Sequence, residues 1–326
     1  MGDGSILGEG ATCACEECYW LMDGRRWIIG PSEIKISLCS TFLRCMVASI
    51  ATIIPFVACQ QYSYCDAISY YSAITDLTNR DQLHSHIQNT HRTSLPYSSS
   101  KRDDVWDALA ALDSDDSGEN LLLVYGDKYV LVAPRDGGTC EYWNRERLWP
   151  RSHGVGESGY DNTDLHHIRP ADCNVNLSRS NRYFGSCSSS SSSASSSSEC
   201  TSPAHSEAAS DTQRNGDVFL PPANQRGDIA RAIFYMDLRY DGDDESNVVN
   251  LVVTDCPEEL PESSMGYLSQ LLQWHMDDPP DEREKERNDS ICKSETLFAE
   301  MSFASCALIF LYLTYLSGAI INLFVD

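Results

Sequence analysis

Positive charge is scarce in this chain: 24 lysines and arginines stand against 48 aspartates and glutamates in 326 residues, a formal net charge of −24. A surface that coats phosphate backbones needs Lys and Arg to neutralise them, so the composition excludes a broadly cationic polyanion binder. Paired metal ligands are also missing near the start. Cys13, Cys15 and Cys18 have no second pair at a useful spacing, which argues against zinc there. The opening MGDGSI lacks the Ser or Thr at its sixth position that myristoylation requires. The strand and helix patterns show no repeating βαβ rhythm, which favours an α+β class over a doubly wound sheet.

Cysteine, by contrast, is plentiful: 14 residues, which suggests an oxidising compartment where disulfides persist. Nine of them lie at or beyond Cys59, and their pairing is not readable from sequence. Cys45 to Ala58 (CMVASIATIIPFVA) is apolar for about 14 residues, the length of a signal-peptide core and short for a membrane span. A buried helix is the alternative. Residues 1–45 read as an unstructured extension and 46–65 as the signal-like segment, which would send the protein into the secretory pathway.

Further on, Val105, Leu109 and Leu112 have helical spacing, and two short apolar strands follow at Leu121–Tyr125 and Tyr129–Ala133. Ile229–Tyr240 and Met265–His275 have the spacing of core helices, and Val248–Val253 reads as a strand. The serine tract from Ser186 cannot bury a core, and residues 186–216 read as a disordered insertion. Met301 to Val325 carries no charge over about 25 residues. That length suits a membrane helix or a removable GPI tail, or it marks a truncated reading frame.

The most informative stretch runs from Tyr142 to Asn181. It contains YWNRERLWP (Tyr142–Pro150), TDLHHIRPAD (Thr163–Asp172) and NVNLSRSN (Asn174–Asn181). Six arginines balance six acids between Cys140 and Gly185, a neutral island in an acidic chain. These runs resemble the core of the endonuclease I family, within the His-Me finger (ββα-metal) nucleases. The likeness resumes at GDIARAIFYMDLRY (Gly227–Tyr240) and LSQLLQWHMDDPPDEREKERND (Leu268–Asp289), so it covers about 190 residues of 66–292, with 293–326 as a tail.

The resemblance implies a mixed α/β nuclease domain built around a ββα-metal finger, active as a monomer on DNA or RNA, with products that carry 5′ phosphates. It implies Glu146 and Asn176 as ligands to Mg²⁺, a hard cation that takes few protein oxygens when phosphate supplies others. Arg179, one turn beyond Asn176, is a candidate phosphate contact or an ion-pair partner on the helix surface. The family's run usually reads Trp-Asn-Arg-Glu-His, the His serving as general base. Here Arg147 stands in its place, and a guanidinium with a pKa above ~12 cannot accept the proton. His166 and His167 belong to a run the family has in addition to its base. They are expected to brace the finger, or else to stand in for the missing base. Asn176-Leu177-Ser178 is also a glycosylation sequon, expected to be unmodified because a sugar would occupy the implied ligand.

Overall fold

The computed structural model describes residues 19–22, 25–28, 70–91, 94–126, 128–187, 199–242 and 249–292. The chain divides into two units, residues 1–63 and 64–326. In the first, Tyr19–Met22 (β1) and Arg25–Ile28 (β2) pair antiparallel within the extension expected to lack structure. The signal-like segment 46–65 and the hydrophobic segment 301–325 lie outside the described residues. Among the described residues, no helix is long and apolar enough to cross a membrane.

The second unit opens with Arg80–Thr90 (α1), capped by Asn79, whose side chain accepts from the Gln82 N–H at 2.9 Å. Val105–Leu112 (α2) begins with a reciprocal capping box, Asp104 to Trp106 N–H and Asp107 to Asp104 N–H. Asn120–Leu123 (β3) and Lys128–Leu131 (β4) form an antiparallel hairpin with Leu121 and Leu123 buried. Next come Trp143–Arg147 (β5), the single turn Tyr160–Thr163 (α3), Ile168–Asp172 (β6) and Cys173–Arg179 (α4). Tyr183–Phe184 (β7), Gln213–Arg214 (β8) and Val218–Leu220 (β9) make a three-stranded sheet in the order β7-β9-β8. Arg226–Arg239 (α5), Val252–Thr254 (β10), Ser264–Tyr267 (β11), Leu268–Asp277 (α6) and Glu282–Cys292 (α7) complete the unit. Small sheets and separate helices make this an α+β fold.

The core forms around α5. Ile229, Ile233, Phe234, Met236 and Leu238 are all but fully buried, each contributing roughly 1.5–3 kcal/mol relative to exposure. Buried charge on the same helix is matched: Arg231 donates to Glu284 at 2.6 and 2.5 Å and to Asp228 at 2.9 Å. A second cluster, with Val105, Leu109, Leu121, Trp143 and Ile168, lies under α2, β3 and β5.

Two expectations change. The helix expected from Met265 starts at Leu268, because Ser264–Tyr267 pairs parallel with β10 instead. One extra residue on β11 falls where Gly266 has φ +80°, a conformation a side chain would strain. The expected disordered insertion, 186–216, is folded from Glu199 onward, while 188–198 lies outside the described residues. Thr201 bridges Arg214, Ala204 and Thr212 are buried, and a disulfide joins Cys187 to Cys200. The serine tract masks this because the segment's few anchors, Ala204 and Ala208, pack against the distant main core.

Candidate active site

The strands β5 and β6 run antiparallel, with Glu146 opposite Arg169 and Arg147 opposite Ile168. Asp172 ends β6 and caps α4, accepting from the N–H groups of Asn174 and Val175 at 3.0 and 3.2 Å. A disulfide between Cys140 and Cys173 ties the approach to β5 to the first turn of α4. Chain-entropy reasoning gives such a loop closure about 3–4 kcal/mol. Asp136 lies beside these two cysteines at metal-ligand spacing, but the disulfide consumes both sulfurs.

Strand alternation separates two chemistries. On one side, Asn144 and Glu146 meet α4: Asn176 Nδ2 donates to Asn144 Oδ1 at 2.9 Å, and Arg179 Nη1 lies 3.1 Å from Glu146 Oε1. Tyr125 donates its hydroxyl to the same Oε1 at 2.8 Å. Residues two apart on the strand thus face residues three apart on the helix, the match that brings Glu146 and Asn176 to one face. Glu146 is 3% exposed. Burial pushes its carboxyl pKa upward, and Arg179, Tyr125 and Arg147 offset that only in part. Arg179 is itself 1% exposed and donates to the carbonyls of Arg147 and Leu148 at 3.2 and 2.6 Å. Its surroundings make it a brace for Glu146 rather than an open phosphate contact.

On the other side, Trp143, Arg145 and Arg147 face Tyr97 and Trp106. The Arg145 guanidinium lies 3.4 Å from the Tyr97 ring centroid and 4.2 Å from that of Trp106. Arg147 lies 4.2 Å from Tyr97 and donates to the Asn162 carbonyl and side-chain oxygens at 3.3 and 2.8 Å. Its guanidinium is therefore engaged by Asn162 and Tyr97 while its charge still acts on the Glu146 carboxylate.

His166 and His167 are 0% exposed. His167 Nε2 lies 2.8 Å from the Asp161 carbonyl, and the His166 ring packs 4.3 Å from that of Tyr235. Both surround Asp164, which accepts from the hydroxyls of Tyr235 and Tyr240 at 2.8 Å each and lies 3.7 Å from His91. Burial raises the Asp164 carboxyl, but His91, His166 and His167 outweigh it and bring the pKa down to about 2. Burial takes His167 down to about 4, with Asp164 opposing. His153 is also engaged, its ring nitrogens 2.6 and 2.8 Å from the Pro261 and Asn181 carbonyls.

The Endonuclease I family model matches residues 75–296, more than half of the sequence. This chain belongs to the Endonuclease I family. It is similar to an extracellular ribonuclease of Bacillus amyloliquefaciens, 34% identical over 200 residues, covering 61% of this chain and 62% of that protein. An extracellular ribonuclease of Bacillus subtilis (strain 168) is 32% identical over 231 residues, covering 70% and 72%. The chain thus spans under two thirds of the first relative's length. Within the Endonuclease I segment, two residues not singled out from sequence hold the site, Tyr125 on Glu146 and Asn144 on Asn176. Asn144 was findable as the same-face neighbour of Glu146 on a strand; Tyr125 sits 21 residues away and was not.

Proposed function

We propose that this protein is a secreted nuclease that hydrolyses DNA or RNA phosphodiester bonds, using a divalent cation at Glu146 and Asn176 and slowed by Arg147 at the position of the family's base. The observation that carries the reading is the joint seating of Asn144–Asn176 and Glu146–Arg179 across β5 and α4. The donors fit Mg²⁺: both are oxygens, and Asn176 uses its amide nitrogen on Asn144, which leaves its carbonyl oxygen for a cation. A buried carboxyl whose pKa is raised is also one that a nearby cation would favour in its ionised form. Mg²⁺, when bound, would withdraw charge from the scissile phosphate and stabilise the leaving 3′ oxygen, giving 5′-phosphate products.

The chain's own residues then divide the work. Tyr125 and Arg179 fix the Glu146 carboxylate, while His166 and His167 brace the connection into β6 through Asp161 and Asp164. Arg147 takes no proton. Loss of a general base removes about 10²- to 10⁴-fold in rate, so slow turnover by an unassisted water is expected. Secretion is supported by the disulfides and by the chain's similarity to two extracellular ribonucleases.

A second reading, a pseudonuclease that binds nucleic acid without cutting, is favoured by the engagement of Arg147 with Asn162 and Tyr97. Plasmid and RNA cleavage by the disulfide-bonded chain, with Mg²⁺ or EDTA, separates the two. Chelator-sensitive cutting that disappears in Glu146→Ala supports the nuclease. Salt-sensitive binding with cutting restored only in Arg147→His supports the pseudonuclease. Chelator-insensitive cutting in the wild type, unchanged by Glu146→Ala, would overturn the site assignment.

A further inference from the structure

The face of β5 opposite Glu146 carries a chain of contacts in which cations and aromatic rings alternate: Arg147, Tyr97, Arg145, Trp106 and Arg135. The guanidinium groups of Arg147 and Arg145 lie 4.2 and 3.4 Å from the Tyr97 ring centroid, and those of Arg145 and Arg135 lie 4.2 and 5.7 Å from that of Trp106. All five side chains are partly exposed. The row is braced from within the fold. Trp106 meets the buried Trp143 edge to face, ring centroids 4.9 Å apart, and Trp143 Nε1 donates to the Val132 carbonyl at 2.8 Å.

The acids around the row do not close it off. Asp104 acts on Arg145 through its charge, but it is buried and its two oxygens accept the Trp106 and Ser99 N–H groups at 2.8 and 2.7 Å. Arg135 pairs with Asp107 at 2.7 Å, the two side chains 35% and 39% exposed, and a pair so open to water holds its partners weakly. Among the described residues, no carboxylate pairs directly with Arg145 or Arg147. Arg145 donates through Nη1 to the Tyr97 carbonyl and the Ser98 hydroxyl, which leaves Nη2 without an acceptor among the described residues. Burial takes the Arg145 pKa down to about 10, so the group is charged at neutral pH. Arg147 commits its N–H groups to Asn162 and to the Tyr97 hydroxyl and contributes charge instead. Because the rings are already engaged by guanidinium groups, the row offers charge and N–H edges rather than free faces for bases.

We propose that this row is a track for the backbone of single-stranded nucleic acid, with Arg145 and Arg135 contacting its phosphates and Arg147 adding charge at the end of β5. Guanidinium groups recognise phosphate through charge-assisted hydrogen bonds, and groups already stacked in place lose little freedom on contact. Arg145 and Arg147 project from one strand face about 7 Å apart, so their charges form a single line. One line suits one backbone; a duplex would bring its second backbone against a chain of net charge −24. The track's position beside the scissile phosphate rests on the proposed nuclease reading, through Arg147 at the place of the family's base. Its hold on a strand does not.

Fluorescence anisotropy of a short labelled oligothymidylate, titrated with the disulfide-bonded full chain in EDTA over a range of NaCl concentrations, tests it. Binding should be saturable, with the logarithm of affinity falling linearly against the logarithm of salt. Arg145→Gln should weaken it by ~10-fold at low salt and flatten the slope by ~0.7. Arg135→Gln, at the exposed end of the row, should act in the same direction at an unchanged unfolding temperature, and it keeps the test readable if Arg145→Gln unfolds. Arg226→Gln, which removes a cation that lies 3.8 Å from Asp211 outside the row, should change nothing. A duplex of the same length should bind more weakly. The proposal is overturned by a lack of saturable binding, by affinity and slope untouched in the folded variants of the row, by an equal loss in Arg226→Gln, or by a duplex that binds as tightly as the single strand. No cleavage enters the readout. A chain that holds the strand in EDTA but never cuts with Mg²⁺ keeps the track and loses the nuclease reading, and one that cuts while its binding ignores Arg145 and Arg135 does the reverse.

Discussion

Glu146 and Asp164 are both buried carboxylates within the same family segment, and their surroundings treat them in opposite ways. Asp164 has two tyrosine hydroxyls, a backbone N–H and three histidines around it, enough to hold its pKa down to about 2. Glu146 has Arg179 and Tyr125 on a single oxygen and the Arg147 charge and backbone beside it, yet burial still pushes its pKa up. The comparison separates a carboxylate whose environment is complete from one whose environment still has room for positive charge. The first builds the fold. The second is the place to look for a cation.

The largest effect that would sharpen this contrast is on activity. If the Glu146 side is an intact site lacking only its base, Arg147→His should raise Mg²⁺-dependent cleavage by about 10²- to 10⁴-fold, measured as initial nicking rate. A gain below tenfold would mean that the face holding Arg147 no longer reaches the scissile phosphate.

Acid unfolding addresses the Asp164 side. His167 has a folded pKa of about 4, below its unfolded value of ~6.5, so the unfolded state binds the extra proton first. Stability from this group is full above ~6.5 and falls as pH drops towards 4, by about 3 kcal/mol in all. Asp164 adds a second, lower window, its stabilisation lost as pH falls from ~3.8 to about 2. Urea titrations across pH should show both; burial also lowers His275, to about 3, so His167→Gln should shrink the upper window without abolishing it.

A smaller and more discriminating effect comes from neutral isosteres. Asp164→Asn should cost about 1–3 kcal/mol at pH 7, because it takes the ionised acceptor of two buried tyrosine hydroxyls away. Glu146→Gln should cost less, because burial already disfavours the ionised form there. Equal losses in chemical denaturation would erase the distinction between the two sites.

Much of this was legible in the sequence where local signals decide structure. The α2 helix follows from the Val105, Leu109, Leu112 spacing, and α5 from its apolar spacing. The Glu146 and Asn176 candidates came from motif order, and the structure seats them across one strand and one helix. What was hidden depends on partners far away in the chain. Met265 sits in a strand because β10 is there to pair with it. Ala204 to Ala209 looked like part of a polar insertion, yet it covers α4 and β3's exit through Ser178 to the Ala204 carbonyl and the Ala209 N–H to the Tyr125 carbonyl. The roles of His166 and His167 depend on Tyr235, Tyr240 and His91, which no local pattern links to them.

The central claim is that Glu146 is a cation ligand while Asp164 is structural. Manganese binding, followed by the loss of the free Mn²⁺ EPR signal as protein is added, tests it without relying on turnover. The wild-type chain should take up Mn²⁺ saturably, Glu146→Gln should lose that uptake, and Asp164→Asn should retain it under conditions where it is folded. Uptake unchanged by Glu146→Gln would contradict the account.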